Sequence, residues 1–390
     1  MTMIRHLSAL AVTAAAALAV GGTPALASPA PASAAASSSP AGWISTALSL
    51  PGAQQTASGS GVTVAVIDTG TADLPRFAGH LTEGPGYVAG GGNPGDETHG
   101  TGVANLVLQV APEARILAIR AISNDPGAKN LSSCPVGSAI SYATAHGAKV
   151  ITMSLGNANG DLSGYVGCEA QAVEKALAAS ITVLAAAGNN GFSSATFVDG
   201  GGDGEDDESF PAGFAGVIAV AALSQSGSRA YFSTVHSFID VGAPGVDIPT
   251  IDENGAAVTE QGTSSATPLV AGVAALILSK APDLAPYQVT AAIEQTAAHP
   301  RNWNPETGYG EVNATAALAA AEKMTPAAAT QASVSYTGPA NFAGASGSGS
   351  SASTTDIGGY VHAGVLFLLA LISLGGAFLL IRRRRGSAAA

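Results

Sequence analysis

The chain is poor in charged residues and in cysteine. Only 11% of its 390 residues are Asp, Glu, Lys or Arg, the net charge is −12, and no basic stripe exists outside the C-terminal tail. A nucleic-acid-binding protein normally carries such a stripe, so we expect no nucleic-acid partner. The 47% hydrophobic content also excludes a chain that is disordered throughout.

Both ends of the chain carry targeting signals. Residues 1–27 begin with a basic segment, continue with an apolar run and close with a small-x-small pattern at Ala25-Leu26-Ala27, which predicts a secretory signal peptide. A short N-terminal membrane anchor is the alternative. Near the other end, residues 362–381 are uncharged and mostly apolar, and their length is sufficient for one transmembrane helix. The alternative there is a buried core helix.

Charge predicts how this helix is oriented in the membrane. Residues 382–390 begin with four arginines, and a basic cluster of this kind stays on the cytoplasmic side. We therefore expect a single-pass protein of the cell membrane, with its body outside the cytoplasm and a short basic tail inside. Residues 28–58 read as a low-complexity extension, and residues 323–361 read as a flexible linker between the body and the membrane.

Two cysteines, Cys134 and Cys168, are too few for a cysteine-based zinc site without further ligands nearby. Outside the cell, such a pair is most simply one disulfide bond. Two separate buried thiols are the alternative.

The body, residues 59–322, alternates between short Val/Ile-rich segments and helical patterns. Five segments are apolar nearly throughout, as strands buried on both faces of a parallel sheet are, and they lie at 62–67, 115–120, 149–153, 181–186 and 217–222. Helical patterns lie at 100–109, 136–147, 169–179, 265–279 and 286–297. This alternation predicts an α/β sandwich around a mostly parallel sheet, with a site at the carboxyl ends of the strands.

Three residues have the side chains that nucleophilic catalysis requires. Asp68 closes the first predicted strand, His99 stands at the start of a helical pattern, and Ser264 precedes a long apolar helix. A serine nucleophile needs a base, and the base needs a group that orients it. The alternatives are a helix-capping serine for Ser264 and a buried core histidine for His99.

The blocks around these residues, "VIDTG", "HGTGVA" and "GTSSATPLVAG", resemble the Asp, His and Ser blocks of the subtilisin-like serine proteases, in the same order. Further matching blocks extend the resemblance over about residues 60–320. It implies a subtilisin-like three-layer sandwich, a serine endopeptidase that acts on protein or peptide substrates without a required cofactor, and a catalytic triad of Asp68, His99 and Ser264.

The resemblance also implies roles for residues around the triad. Asn189 takes the place of the oxyanion-hole amide, although a turn-forming role in its Gly/Asn-rich loop is the alternative. Five residues would flank the substrate, partly through backbone pairing, and these are Ser154, Leu155, Gly156, Ala187 and Gly188.

Two positions depart from the family pattern, and the overall layout narrows the resemblance. Asn105 stands where a glycine is expected, and Ser265 stands where secreted subtilisins often have methionine.

A large folding pro-domain does not fit between the predicted signal peptide and the first strand. Three features of the layout resemble the mycosins, membrane-anchored subtilases of actinobacterial type VII secretion: the short segment before the first strand, the extracytoplasmic domain and the single C-terminal helix. A disulfide between the two cysteines that staples a loop also fits a mycosin-like protein. We therefore expect secretion-system components as partners, with an idle scaffold or a leader peptidase as alternative functions.

The segment at 198–208 is rich in carboxylates without a family explanation. It could bind calcium through Asp199, Asp203 and Asp206, although its spacing does not match an EF-hand loop. The alternatives are a solvated acidic loop and a gate that recruits basic peptides.

Overall fold

The structure, a computed structural model, describes residues 40–89, 95–156, 166–191, 206 and 208–327. The predicted signal peptide, transmembrane helix and cytoplasmic tail lie outside the described residues. The long linker does too, apart from its first few positions.

The body is built on a sheet of seven parallel strands in the order β2-β3-β1-β4-β5-β6-β7. Their bounds are β1 Thr63–Asp68, β2 Leu81–Gly86, β3 Arg115–Arg120, β4 Val150–Met153, β5 Thr182–Ala186, β6 Val217–Leu223 and β7 Val241–Pro244. All five predicted strands are confirmed within about one residue. β2 and β7 form the edges of the sheet and contain glycine and proline, which are tolerated at sheet edges but hide the apolar pattern of a strand.

Helices and one hairpin complete the described part of the chain. The helices are α1 Pro40–Ala47, α2 Leu50–Gln54, α3 Thr98–Val110, α4 Pro135–Ala145, α5 Val166–Ala178, α6 Thr263–Lys280, α7 Pro286–Glu294 and α8 Ala314–Ala321. The hairpin pairs β8 Ile248–Ile251 with β9 Ala257–Glu260 in antiparallel register.

Alternating side chains of the sheet enter two separate hydrophobic clusters. Val64 and Val66 of β1 join one cluster with α3 and α6, whereas Ala65 and Ile67 join the other with α4 and α5. Because consecutive side chains of a strand point to opposite faces, both faces of the sheet are covered by helices. The predicted three-layer α/β sandwich with a parallel central sheet is confirmed.

Helix α6 runs through the interior of the domain. Among the described residues it alone is long and apolar enough to cross a membrane, but most of it is buried inside the protein. It is therefore a core helix that packs against α3 and the sheet. The predicted membrane helix at 362–381 is a different segment, outside the described residues.

The folded domain begins earlier than expected. Within the predicted extension 28–58, α1 buries Trp43 and Ile44 in the core, Leu48 follows in the turn after it, and α2 buries Leu50 and Ala53. The Leu48 carbonyl also accepts a hydrogen bond from the Ala314 N–H at the start of α8. The Pro/Ala/Ser composition ends near residue 42, and the apolar side chains that follow are what bring this segment into the core.

The carboxyl groups of Asp240 and Glu294 lie next to each other near β7. Asp240, next to β7, is 6% exposed, and its Oδ2 accepts a hydrogen bond of 2.7 Å from the Ala219 N–H. Glu294, at the end of α7, is its hydrogen-bonding neighbour. Burial is the main cause that raises the pKa of Asp240 well above its usual value and that of Glu294 to about 7.

This pair makes stability fall as pH rises. The folded state holds a proton on Glu294 up to about pH 7, whereas the unfolded chain releases it near pH ~4. The free energy of unfolding therefore decreases between these pH values. We expect Glu294→Gln to remove part of this pH dependence. The Tm of the variant minus the Tm of wild type should therefore increase by a few degrees between pH 5 and pH 7.5. Glu322→Gln, at an exposed position, is the control; a Tm difference for Glu294→Gln that is independent of pH would contradict the assignment.

Candidate active site

The carboxylate of Asp68 lies at the carboxyl end of β1 and is fully buried. Its Oδ1 lies 2.7 Å from the His99 Nδ1 and also accepts a hydrogen bond of 2.7 Å from the Thr69 N–H. A carboxylate on Nδ1 leaves the other ring nitrogen, Nε2, as the free acceptor of a proton. The predicted contact between acid and imidazole is present.

Close packing of α3 against the end of β1 brings His99 to Asp68. The Gly100 N–H donates to the Thr69 hydroxyl at 3.1 Å, which ties the first turn of α3 to the strand end. A β-carbon at Gly100 would collide with the carbonyl of Gly70. The glycine that follows His99 is therefore required by this close approach.

Ser264 is the second residue of α6 and is partly exposed, whereas nearly all other residues of the helix are buried. Gly262 occupies the N-cap position, and no side chain caps the helix there, so the capping interpretation of Ser264 is not supported. Among the described residues the Ser264 hydroxyl makes no hydrogen bond, and the His99 ring bonds only to Asp68. Catalytic hydrogen bonds in ligand-free enzymes often tighten only when substrate binds.

A proline further along α6 determines how the Ser264 backbone is held. Pro268 has no N–H, so it cannot donate the helical hydrogen bond that the Ser264 carbonyl would otherwise accept. The Ser154 hydroxyl donates to that carbonyl instead, at 2.8 Å. Ser154 therefore links the start of α6 to the end of β4.

The amide of Asn189 is oriented by its contacts with Thr263. Its Oδ1 accepts hydrogen bonds from the Thr263 N–H at 2.9 Å and from the Thr263 hydroxyl at 3.0 Å. A β-carbon at Gly262 would stand 2.8 Å from the Ser264 Oγ and 3.4 Å from the Asn189 Nδ2. Gly262 thus leaves open a space between the hydroxyl and an amide donor, where an oxyanion could be held.

A pocket of about 300 Å³ opens beside these groups. Its lining consists of His99, Ser154, Leu155, Gly156, Ala186, Gly188, Asn189, Asn190, Ser209, Thr263 and Ser264. Four of the five residues expected to flank the substrate therefore lie on it. The fifth, Ala187, does not line the pocket: it is fully buried in the α4–α5 cluster, and its N–H donates to the Val220 carbonyl.

Ala186, Asn190 and Ser209 also line the pocket, although no motif in the sequence predicted a role for them. Ala186 precedes Ala187 and lines the pocket, and the alternation of side chains along an extended segment directs the Ala187 side chain to the opposite face, into the α4–α5 cluster. The Ser209 Oγ would be 2.6 Å from a β-carbon at Gly156, so the absence of a side chain there makes room for it. Ser209 opens the stretch "SFPAGF", which lies within the region of family resemblance.

The electrostatics of the site centre on His99. The Asp68 carboxylate is the largest cause that raises the pKa of His99 to about 9; burial opposes this, and the hydrogen bond to Asp68 and the charge of Glu260 add to it. The imidazolium form is therefore favoured at neutral pH. The neutral form, which can accept a proton from a hydroxyl, grows as the pH rises.

The two departures from the family pattern lie outside the pocket. Asn105 is buried, and its Nδ2 donates to the Thr250 hydroxyl at 2.9 Å, which joins α3 to β8. Ser265 is 1% exposed, and among the described residues its hydroxyl has no partner. Neither residue changes the groups that line the pocket.

The two cysteines form one disulfide, as expected. Cys134 stands at the N-cap of α4 and Cys168 lies in the first turn of α5, with their Cα atoms 6.5 Å apart. The bond joins the two neighbouring helices on one face of the sheet.

The possible calcium ligands Asp199 and Asp203 lie outside the described residues. Asp206 is described, and its backbone N–H and its Oδ2 pair with the carbonyl and the N–H of Val235, at 2.7 and 2.6 Å. Within the described part of the chain no group of three potential ligands could hold a metal ion. Asp206 thus has a role in loop pairing, and the hypothesis of calcium binding depends on Asp199 and Asp203, which lie outside the described residues.

A three-layer sandwich with an acid, an imidazole and a hydroxyl at one pocket defines a serine peptidase of the α/β class. Residues 59–310 match the subtilase family, Peptidase_S8. The chain belongs to the subtilase family, and its activity class is that of a subtilisin-like serine endopeptidase.

Curated relatives agree with this membership. Subtilisin DY from Bacillus licheniformis is 39% identical over 249 residues, which cover 61% of this chain and 84% of that protein. Thermitase from Thermoactinomyces vulgaris is 35% identical over 276 residues, which cover 68% of this chain and 91% of thermitase. Subtilisin E from Bacillus subtilis is 37% identical, and the match spans 66% of each chain.

Solved structures with a similar fold include mycosins. MycP3, a protease from the type VII (ESX-3) secretion system, has a TM-score of 0.59 and 30% identity, over 73% of this chain and 90% of its own. MycP1 from Mycobacterium smegmatis also has a TM-score of 0.59, with 26% identity over 71% of this chain and 84% of its own.

The raised pKa of His99 predicts how the reactivity of Ser264 depends on pH. We expect labelling by a fluorophosphonate to speed up as pH rises, with a midpoint above the value of 6.5 for free histidine, because Asp68 stabilises the imidazolium. Asp68→Asn removes that charge, so the midpoint should fall and the plateau rate should drop by about 10⁴. The exposed Asp73→Asn is the control; an unchanged midpoint in Asp68→Asn would contradict the assigned cause.

Proposed function

We propose that the chain is a membrane-anchored, extracytoplasmic serine endopeptidase that acts through Asp68, His99 and Ser264. The observation that carries this proposal is the 2.7 Å contact of a buried carboxylate with His99, on a pocket that Ser264 also lines. If these residues had only a structural role, the Ser264 hydroxyl would not need to be partly exposed in the first turn of an otherwise buried helix.

The proposed reaction is acyl transfer to the serine. The neutral His99 imidazole takes the proton of the Ser264 hydroxyl through Nε2 as the Oγ attacks the scissile carbonyl. His99 then gives that proton to the leaving amine, and water releases the acyl group by the reverse sequence. Asp68 holds the tautomer of His99 and stabilises the imidazolium.

The developing oxyanion would lie in the space beside Gly262. The Asn189 Nδ2 and the Ser264 N–H are its proposed donors, and loss of one such donor typically lowers kcat by ~10²–10³. The pocket bounded by Ser154, Gly156 and Ser209 would take the side chain on the acyl side of the cleaved bond. The proposed chemistry requires no cofactor.

The location and biological role of the peptidase are further proposals. The signal sequence at 1–27 and the apolar segment at 362–381 support an anchored enzyme with its domain outside the cytoplasm. The likeness to the mycosins MycP1 and MycP3 supports processing in a type VII secretion system, with secretion-system components as partners.

Covalent labelling tests the catalytic proposal. A fluorophosphonate should label the wild-type protein at Ser264 and should not label Ser264→Ala, because the probe needs an activated hydroxyl. Ser265→Ala, which removes the neighbouring buried hydroxyl, should still be labelled. Absence of labelling in folded wild type, or equal labelling of Ser264→Ala, would favour an idle scaffold instead.

Truncation tests the anchor. A chain that ends at residue 361 should be recovered in the culture medium, whereas the full chain should fractionate with membranes, because residues 362–381 supply the apolar length that spans a bilayer. A chain that ends at residue 381 keeps the span without its tail and should remain with the membranes. Retention on membranes of the chain that ends at residue 361 would contradict this proposal.

A further inference from the structure

A second carboxylate lies beside the catalytic residues and has no assigned role. Glu260 is the last residue of β9 and precedes Ser264 by four positions. Both of its carboxylate oxygens lie 3.3 Å from the point where a β-carbon of Gly102 would stand. The β8–β9 hairpin thus lays this carboxylate directly on α3.

Its position on α3 places the carboxylate near His99. Gly102 follows His99 by three residues, and residues at that spacing lie on the same face of a helix. The space that a side chain would occupy at Gly102 is what lets Glu260 approach. The two charges interact: Glu260 helps to raise the pKa of His99, while burial raises the pKa of Glu260 itself and His99 opposes that rise.

Apart from the nearby His99 ring, no cationic side chain pairs with the Glu260 carboxylate within the part of the chain that the structure describes. Its backbone pairs with Ile248 in the hairpin, but its carboxylate oxygens accept no hydrogen bond and form no ion pair with a described residue, and Arg120 pairs with Asp96 and Glu97 instead. A partly buried carboxylate without a partner bears a desolvation cost that a bound cation would offset.

The position of Glu260 relative to the pocket indicates which part of a substrate it would meet. The pocket adjoins the space of the proposed oxyanion, between Asn189 and Ser264, and would hold the acyl side of the substrate. Glu260 does not line that pocket; its carboxylate lies against α3 at Gly102, one turn after His99, which is the residue that would protonate the leaving amine. We propose that Glu260 forms a subsite for a basic side chain, Lys or Arg, on the first residue of the leaving peptide.

This inference rests on the proposed peptidase function and assigns a substrate class to it. It can be tested with three internally quenched peptides that differ only in the residue after the cleaved bond, Lys, Gln or Glu. Wild type should cleave the Lys peptide with a kcat/KM about fivefold above that of the Gln peptide, the ratio expected for one partly exposed ion pair. The Glu peptide should be cleaved more slowly than the Gln peptide.

Charge variants separate recognition from a structural role. Glu260→Gln should bring the Lys-to-Gln ratio to within about twofold of one, and Glu260→Lys should invert the order of the Lys and Glu peptides. Glu253→Gln, the same charge change on the same hairpin, should keep the wild-type ratio. Added salt should also weaken the wild-type preference, because screening acts on exposed charges.

The outcomes distinguish the inference from the function beneath it. A wild type that cleaves the peptides without a charge preference, or a Glu260→Gln variant that keeps the preference, would overturn the subsite and leave the peptidase standing. A folded wild type that neither cleaves any peptide nor reacts with a fluorophosphonate would contradict both.

Discussion

The structure depends on one buried contact, the hydrogen bond between the Asp68 carboxylate and the His99 imidazole. A fully buried carboxylate is costly without compensating partners, and Asp68 has the His99 ring and the Thr69 N–H. The same contact orients the imidazole and favours its charged form. Stability and chemistry at the end of β1 thus come from a single arrangement, which also requires the glycine at position 100.

Helix α6 joins the core to the Ser264 hydroxyl, the proposed nucleophile. Its apolar body anchors it against α3 and the sheet, while its first turn carries Ser264 at the pocket. Pro268 frees the Ser264 carbonyl from the helical pattern, and the Ser154 hydroxyl binds it. Thr263 binds the amide oxygen of Asn189, so the two ends of the oxyanion space are held by one short segment.

Sequence reasoning predicted the parts of this site that have a local signature. The five central strands are apolar runs, and Asp68 stands where the first of them ends, so the sheet and its catalytic edge could be predicted. Trp43 and Ile44 were missed because their packing against the core depends on tertiary contacts that no periodicity shows. Ala187 was placed on the substrate side because a block of residues cannot specify which of two neighbours turns outward.

The contribution of Glu260 could not be predicted from its own surroundings in the sequence. A glutamate at the end of a short polar strand is unremarkable until the hairpin places it over Gly102. The acidic segment at 198–208 illustrates the opposite case, since it stands out in the sequence, yet Asp206, its one described candidate ligand for calcium, pairs with the backbone of Val235. Spatial placement, not local composition, decides which carboxylates act on the site.

The central claim is that Asp68, His99 and Ser264 converge on one reacting centre with the oxyanion space beside Gly262. A crystal structure of the protein after reaction with a fluorophosphonate measures this most directly. The account predicts phosphorus on the Ser264 Oγ, with the phosphonyl oxygen at about 2.7–3.1 Å from the Asn189 Nδ2 and the Ser264 N–H. An adduct on another residue, or an oxygen that points away from both donors, would contradict it.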